Sequence, residues 1–425
     1  MPFFRFFWFV VFVVTGIGEL GAEEDLVWFD KFEAARHEAT TGRVIFADFQ
    51  AAWCYSCYYM EHRVLSQAAF HKLAKTMILL KLDVDKREGY ELKEKYKVKF
   101  LPSYLLLNGS GEELGRIAGE QTEEDFLAQL LPLLEKVDPK PVEKLRLMLE
   151  AGKIEQARLL REEMLRSYPA LGKDLNFKLI WARVDFQWAR AAGKVEEAAE
   201  AMETLLDLGD GCELAYDISA AQDFQADVEE TRRHALEIRE RKKLESLVNR
   251  RVFGLEKDRC ADLRSPIEAL LYAYSALGLK KEWQDTLDRA VKFFGKASKR
   301  AGLGKDRNAE DNWRYFLETA KRYDELDKLY PRLIEAYAND YVYSYRYAKH
   351  LWGRQENFQA LKWIEKANLL AYGVNLISVS HLRAQILSGL GRSDEARELL
   401  KREIRANRER FSKEIQKLET LLGRI

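Results

Sequence analysis

Strand periodicity in this 425-residue chain is confined to its first third and stops at VDPKP, Val137 to Pro141. Two prolines there break the hydrogen-bond ladder of any helix running through. The boundary separates an α/β unit from a helical remainder. Between Leu26 and Glu135 helical and strand periods alternate. A helical pattern through Trp28, Phe32 and Ala35 precedes the apolar run VIFADF. WCYSC then opens a second helix, MILLKLDV reads as the next strand, and GYELKEKYKV is a charged helix. After Leu101-Pro102, the strand SYLLL turns through NGSG into ELGRIAG as a hairpin, and the amphipathic EEDFLAQLLPLLE closes the unit.

From Val142 to Ile425 nearly every segment reads as amphipathic helix with short Gly- or Asp-containing turns. Small residues recur at matched offsets. Ala348 and Ala360 stand 36 residues before Ala384 and Ala396, with Ala367 in the same unit, while Gly152 with Ala157 and Pro169, and Gly193 with Ala198, echo the pattern. These offsets resemble tetratricopeptide repeats, whose period is about 34 residues and whose small side chains let antiparallel helices approach closely. The resemblance covers Val142 to Asp207 and Tyr343 to Arg405; residues 208–342 are helical but irregular. The expected fold is an α/β domain at 23–138 followed by an all-α repeat domain at 139–425.

Lys plus Arg and Asp plus Glu each number 69, so no basic excess exists to hold nucleic acid, which is not expected as a partner. The opening segment carries Arg5 and then an uncharged run from Phe6 to Gly18. That run falls short of the roughly 20 apolar residues of a spanning helix. Residues 1–22 read as a secretory signal with cleavage near Ala22, and the protein as periplasmic or otherwise exported. Leu20, large for its place before the cut, keeps a membrane-tethered form open as the alternative. The only cysteines are Cys54, Cys57, Cys212 and Cys260, too few to staple a chain of this size. Cys212 and Cys260 are compatible with a disulfide, worth about 3 to 4 kcal/mol, or with two free thiols.

A Cys-x-x-Cys pair opening a helix has a physical basis for reactivity. Free N–H groups and the helix dipole stabilise a thiolate at the first cysteine, Cys54, and Cys57 lies one turn on, able to attack a mixed disulfide there. No second Cys-x-x-Cys or His pair completes a zinc site, so neither metal nor cofactor is expected. The segments FADFQAAWCYSC, LLKLDVD and KVKFLPSYLLLNGSGEELGRIAG resemble thioredoxins. The resemblance implies a thioredoxin-like fold and a thiol:disulfide oxidoreductase. It implies that Asp48 is a buried acid serving Cys57, that Lys81 biases its ionisation, and that Pro102 is a cis-proline contacting extended substrate. Leu101 departs from the Thr or Ile common before that proline, and Trp53 matches the aromatic residue before the first cysteine. Within the family, CYYMEHRVLSQAAFHKL, with Met60-Glu61 after the second cysteine and a kinked helix, is similar to the periplasmic C-terminal domain of DsbD-type reductases. Tyr55-Ser56 places no histidine between the cysteines, which argues against a strong oxidant. The partners implied are disulfide-bearing proteins and an upstream electron donor, with the repeats holding the client. A different reading makes the chain an adaptor whose thioredoxin-like domain only binds. In either reading Cys54 is expected at an exposed helix terminus.

Overall fold

A computed structural model describes residues 26–39, 42–135, 141–150, 152–167, 169–222, 224, 227–254 and 259–425. The segment assigned to export and most of the proline-bounded break, residues 137–140, lie outside the described residues.

The first third, the α/β half of the two-part chain, is built on a mixed sheet in the order β1-β3-β2-β4-β5. Its strands are β1 (Trp28–Phe29), β2 (Ile45–Gln50), β3 (Ile78–Asp83), β4 (Ser103–Leu107) and β5 (Glu113–Ala118). β1, β3 and β2 run parallel, and β4 and β5 antiparallel to their neighbours. The helices are α1 (Phe32–Glu38), α2 (Tyr55–Met60), α3 (Ala68–Ala74), α4 (Arg87–Lys95) and α5 (Glu123–Glu135). Because side chains alternate along a strand, Ile45, Ala47 and Phe49 of β2 pack with Phe32, Leu92 and Tyr96 on one face. Phe46 goes to the other, where it stacks on Tyr104 at 5.4 Å between centroids and meets Phe70 at 5.3 Å. Trp28 belongs to β1, pairing with Leu79, and does not start a helix as its spacing to Phe32 suggests. The two rings sit on opposite sheet faces, so a helical interval in sequence joins residues that no helix joins.

The rest of the chain, its helical half, has helices and no strand among its described residues. Its first eight helices are α6 (Pro141–Glu150), α7 (Ile154–Ser167), α8 (Leu175–Ala191), α9 (Val195–Leu208), α10 (Glu213–Gln222), α11 (Glu230–Leu247), α12 (Ser265–Ala276) and α13 (Lys280–Ala301). The rest are α14 (Arg307–Thr319), α15 (Tyr323–Ala336), α16 (Val342–Gly353), α17 (Asn357–Leu370), α18 (Gly373–Gly389), α19 (Ser393–Asn407) and α20 (Ser412–Leu422). Neighbouring helices pack on one another, most extensively α8 on α9, α16 on α17, α13 on α14 and α18 on α19. Ala157, Ala198, Ala348, Ala360, Ala367, Ala384 and Ala396 are all buried at these contacts, where small side chains permit close approach. Cys212 and Cys260 are joined as a disulfide. No described helix is long and apolar enough to cross a membrane.

The two halves are docked. Tyr372 donates to Asp83 at 2.6 Å, Tyr90 donates to Glu414 at 2.9 Å and packs edge-on against Phe411, and Lys413 pairs with Glu94. The Val374 amide donates to the Asp85 carbonyl at 3.0 Å. That approach requires Gly373, whose φ is +52° and whose missing Cβ would lie 1.9 Å from the same carbonyl oxygen. Gly373→Ala is therefore expected to drive the halves apart and lower stability by about 2 to 4 kcal/mol. An unchanged denaturation midpoint would show that this contact does not hold the halves together in solution.

Candidate active site

β2 ends at Gln50, and a short turn delivers Cys54 to the N-cap of α2 with an extended backbone. Its sulfur accepts a hydrogen bond from the Cys57 amide at 3.1 Å. A capping oxygen of Ser or Asp ordinarily fills this role. Sulfur in that position, once reduced and ionised, keeps the amide donor and the positive end of the helix. Cys54 and Cys57 are joined as a disulfide. After Met60 the helix widens into a π-type turn, Glu61–Leu65, before α3, which produces the kink. Met60 is buried in the core and its sulfur accepts from the Gln121 amide at 3.2 Å.

Cys54 is not exposed as the sequence suggests: it and Cys57 are 4% and 5% exposed. Both pack into the core on the Phe49 face of the sheet, and α14 packs against α2 from the other part of the chain. The Tyr55 carbonyl accepts from Asn308 at 3.0 Å, the Trp53 carbonyl accepts from Arg346 at 3.1 Å, and the Arg264 guanidinium lies 3.7 Å from the centroid of the Tyr55 ring. Arg307 stacks on Tyr58, whose hydroxyl donates to the Ala52 carbonyl.

Asp48 is buried in β2, and one of its oxygens has no hydrogen-bond partner. Burial pushes its carboxyl up to about 7; the charge of Lys81 opposes this and that of Glu61 adds to it. Lys81 is the register partner of Asp48 in β3, but its ammonium hydrogen bonds run to Glu61 at 3.0 and 3.1 Å, and it also lies over Trp28. The three side chains form a carboxyl–ammonium–carboxylate group beside α2. Glu61 thus has a structural counterpart for its place in the Met60-Glu61 motif.

Trp53 is 40% exposed and anchored from below: its indole N–H donates to Asp85 at 2.8 Å. The Leu101–Pro102 bond is cis, Pro102 is buried, Leu101 is half-buried, and the Pro102 carbonyl accepts from the Gly119 amide at 2.9 Å.

Sequence reasoning passed over two acids. Asp85 ends the LLKLDVD run and is raised to about 6, chiefly by burial, opposed by the neighbouring Asn375 amide and by the hydrogen bond from Trp53. Glu120 follows β5, is buried, and has one oxygen without a partner. Burial holds it well above the usual carboxylate range, reinforced by Asp262 and opposed by Ser56, which lies between the two cysteines. Asp85 could have been found as the second acid after the strand. Glu120 had no local signal.

A family model described as thioredoxin-like matches residues 27–109. Thioredoxin-1 of Drosophila melanogaster is 40% identical over 84 residues, 20% of this chain and 74% of the fly protein. The chain belongs to the thioredoxin family. As a thioredoxin-family protein it is a thiol:disulfide oxidoreductase, and Cys54 and Cys57 are its disulfide-forming pair. The thiol:disulfide interchange protein DsbD of Pseudomonas fluorescens is 39% identical over 90 residues, 20% of this chain; the chain spans 15% of that relative's length. A tetratricopeptide repeat protein structure from Parabacteroides merdae covers 66% of this chain and 97% of its own, at 13% identity and a TM-score of 0.39. The thioredoxin family accounts for the α/β part, with the family model matching residues 27–109; the helical part is characterised by its own packing.

Proposed function

We propose that this thioredoxin-family protein is an exported disulfide reductase whose helical half holds the client protein. The observation that carries the reading is the Cys54–Cys57 pair at the start of α2, with the Cys57 amide directed at the Cys54 sulfur. In the reduced protein, the Cys54 thiolate attacks a client disulfide, forming an S–S bond to one client sulfur while the other leaves as a thiolate. Cys57 then gives up its proton to Asp48, directly or through water, and attacks the Cys54 sulfur. The second client sulfur leaves. The client gains two electrons and the enzyme becomes the Cys54–Cys57 disulfide, which an upstream dithiol donor must reduce. Lys81 biases Asp48 toward ionisation, and Trp53, Leu101 and Pro102 line the approach of an extended client segment.

Export is supported by the N-terminal segment and by the Cys212–Cys260 disulfide, which persists in an oxidising compartment. The reductive direction is tested by equilibrating the full chain with glutathione buffers. A reductase is expected to have a potential below about −200 mV. A value near about −120 mV, that of a strong oxidant, would reverse the proposed direction.

A further inference from the structure

The helical half buries a charged cluster against the redox turn. Asp311 of α14 is fully buried and receives Arg264 at 3.0 Å, Arg314 at 3.0 Å and Arg346. Arg264 also donates to Asn312 at 2.6 Å, and Asn312 donates to Asn308 at 3.2 Å. From this cluster two donors leave the helical half: Asn308 reaches the Tyr55 carbonyl and Arg346 the Trp53 carbonyl. These are the carbonyls of the residues before and after Cys54. A hydrogen-bonded path thus joins one buried carboxylate to both flanks of the attacking cysteine.

Three guanidiniums surround the Asp311 carboxylate, and Glu318 pairs with Arg314 at 2.6 Å. Asp262 stands beside Arg264 and balances it, so the positive group nearest the turn is Arg346, which shares Asp311 with the two other arginines. Burial would push the Asp311 carboxyl up, but Arg314, Arg346 and Arg264 overcome this and hold it well below the carboxylate range, so the cluster keeps its charges at any working pH. Other titratable groups around the cysteines are Asp48 beneath α2 with the Lys81–Glu61 pair, Glu120 beside Ser56, Asp85 beneath Trp53, Asp262 beside Arg264, and Arg307 over Tyr58. Burial raises Asp48, Glu120 and Asp85, which weakens the negative field they would place at the sulfur in mildly acidic solution.

We propose that Arg346 and Asn308 of the helical part are positioning residues for the redox reaction, holding the Cys54 turn through the Trp53 and Tyr55 carbonyls, and that the Arg346 charge favours the Cys54 thiolate. The redox site is then composite: the thioredoxin-like half supplies the sulfurs, and the second half sets the ionisation of one of them. This rests on Cys54 being the nucleophilic thiolate.

The test is the pH profile of iodoacetamide alkylation at Cys54 in the reduced full chain, read by mass spectrometry. Arg346 is partly exposed, so Arg346→Gln should preserve the fold while removing the charge. It is expected to move the midpoint upward, reducing the rate at pH 6 about 3- to 10-fold and leaving the rate at pH 10 unchanged. Arg346→Lys, which keeps a charged donor, should restore most of the wild-type profile. A profile unmoved by Arg346→Gln overturns the proposal, as does an equal shift in Arg346→Gln and Arg346→Lys, which would mark a packing role alone. A wild-type midpoint near the free-thiol value of about 8.5 would instead overturn the nucleophile reading itself.

Discussion

Cys57→Ala is expected to cut client turnover at least about a thousandfold while accumulating a covalent enzyme–client adduct. Cys54 still attacks the client disulfide in this variant, but no second sulfur stands one helical turn away to release it. Cys212 and Cys260 are paired with each other and supply no substitute thiol. Cys54→Ala should lose turnover to the same extent and form no adduct, because its remaining cysteine lies at the third position of α2 and not at the cap. Non-reducing electrophoresis with a disulfide-bearing protein separates the two variants. An adduct in Cys54→Ala, or none in Cys57→Ala, would exchange the roles of the two sulfurs.

Asp48→Asn is expected to stabilise the fold above neutral pH while slowing release of the mixed disulfide. Burial, moderated by Lys81 and reinforced by Glu61, raises the Asp48 carboxyl from 3.8 to about 7. The folded state therefore holds the proton more tightly than the unfolded chain. The resulting stability is complete below about pH 3.8 and is lost as pH rises through about 7. At 1.36 kcal/mol per unit the loss approaches about 4 kcal/mol, and the Asn variant does not suffer it. Denaturant unfolding across pH 4 to 8 should show the variant gaining on wild type until about pH 7 and then running parallel. In the same interval, wild-type resolution of the mixed disulfide should accelerate with pH as Asp48 ionises, and the variant should lack that rise. A stability difference that does not change with pH would mean that Asp48 ionises as freely when folded as when unfolded.

The α/β half was legible because its strands are bounded by turn residues and its cysteine pair has one chemical reading. The elements VIFADF, SYLLL and EEDFLAQLLPLLE appear as β2, β4 and α5. The repeats were legible only in part, and the backbone shows why. Six helix pairs turn through a left-handed residue at Gly152, Gly193, Gly278, Lys321, Gln355 and Gly391. In each, the next amide bonds back to the carbonyl five residues earlier, from Lys153 to Met148 through to Arg392 to Leu387, at 2.8 to 2.9 Å. Glycine followed five residues on by alanine reveals Gly152, Gly193 and Gly391. At Gly278 and Lys321 the alanine is replaced by Trp283 and Leu326, at Lys321 the glycine is replaced as well, and at Gln355 only the glycine is, Ala360 being kept. Much of residues 208–342 looked irregular for that reason, although its later helices turn in the same way. The site was hidden where it depends on distant chain: no local pattern joins Asn308 or Arg346 to Cys54, which lie some 250 and 290 positions away.

The most direct test of the central claim is the reduction of insulin by dithiothreitol, followed as the precipitation of free B chain. The wild-type full chain should accelerate it well above the uncatalysed rate, and Cys54→Ala should return it to background. Wild-type protein at the background rate, or Cys54→Ala matching wild type, would contradict the assignment of a disulfide reductase working through Cys54 and Cys57.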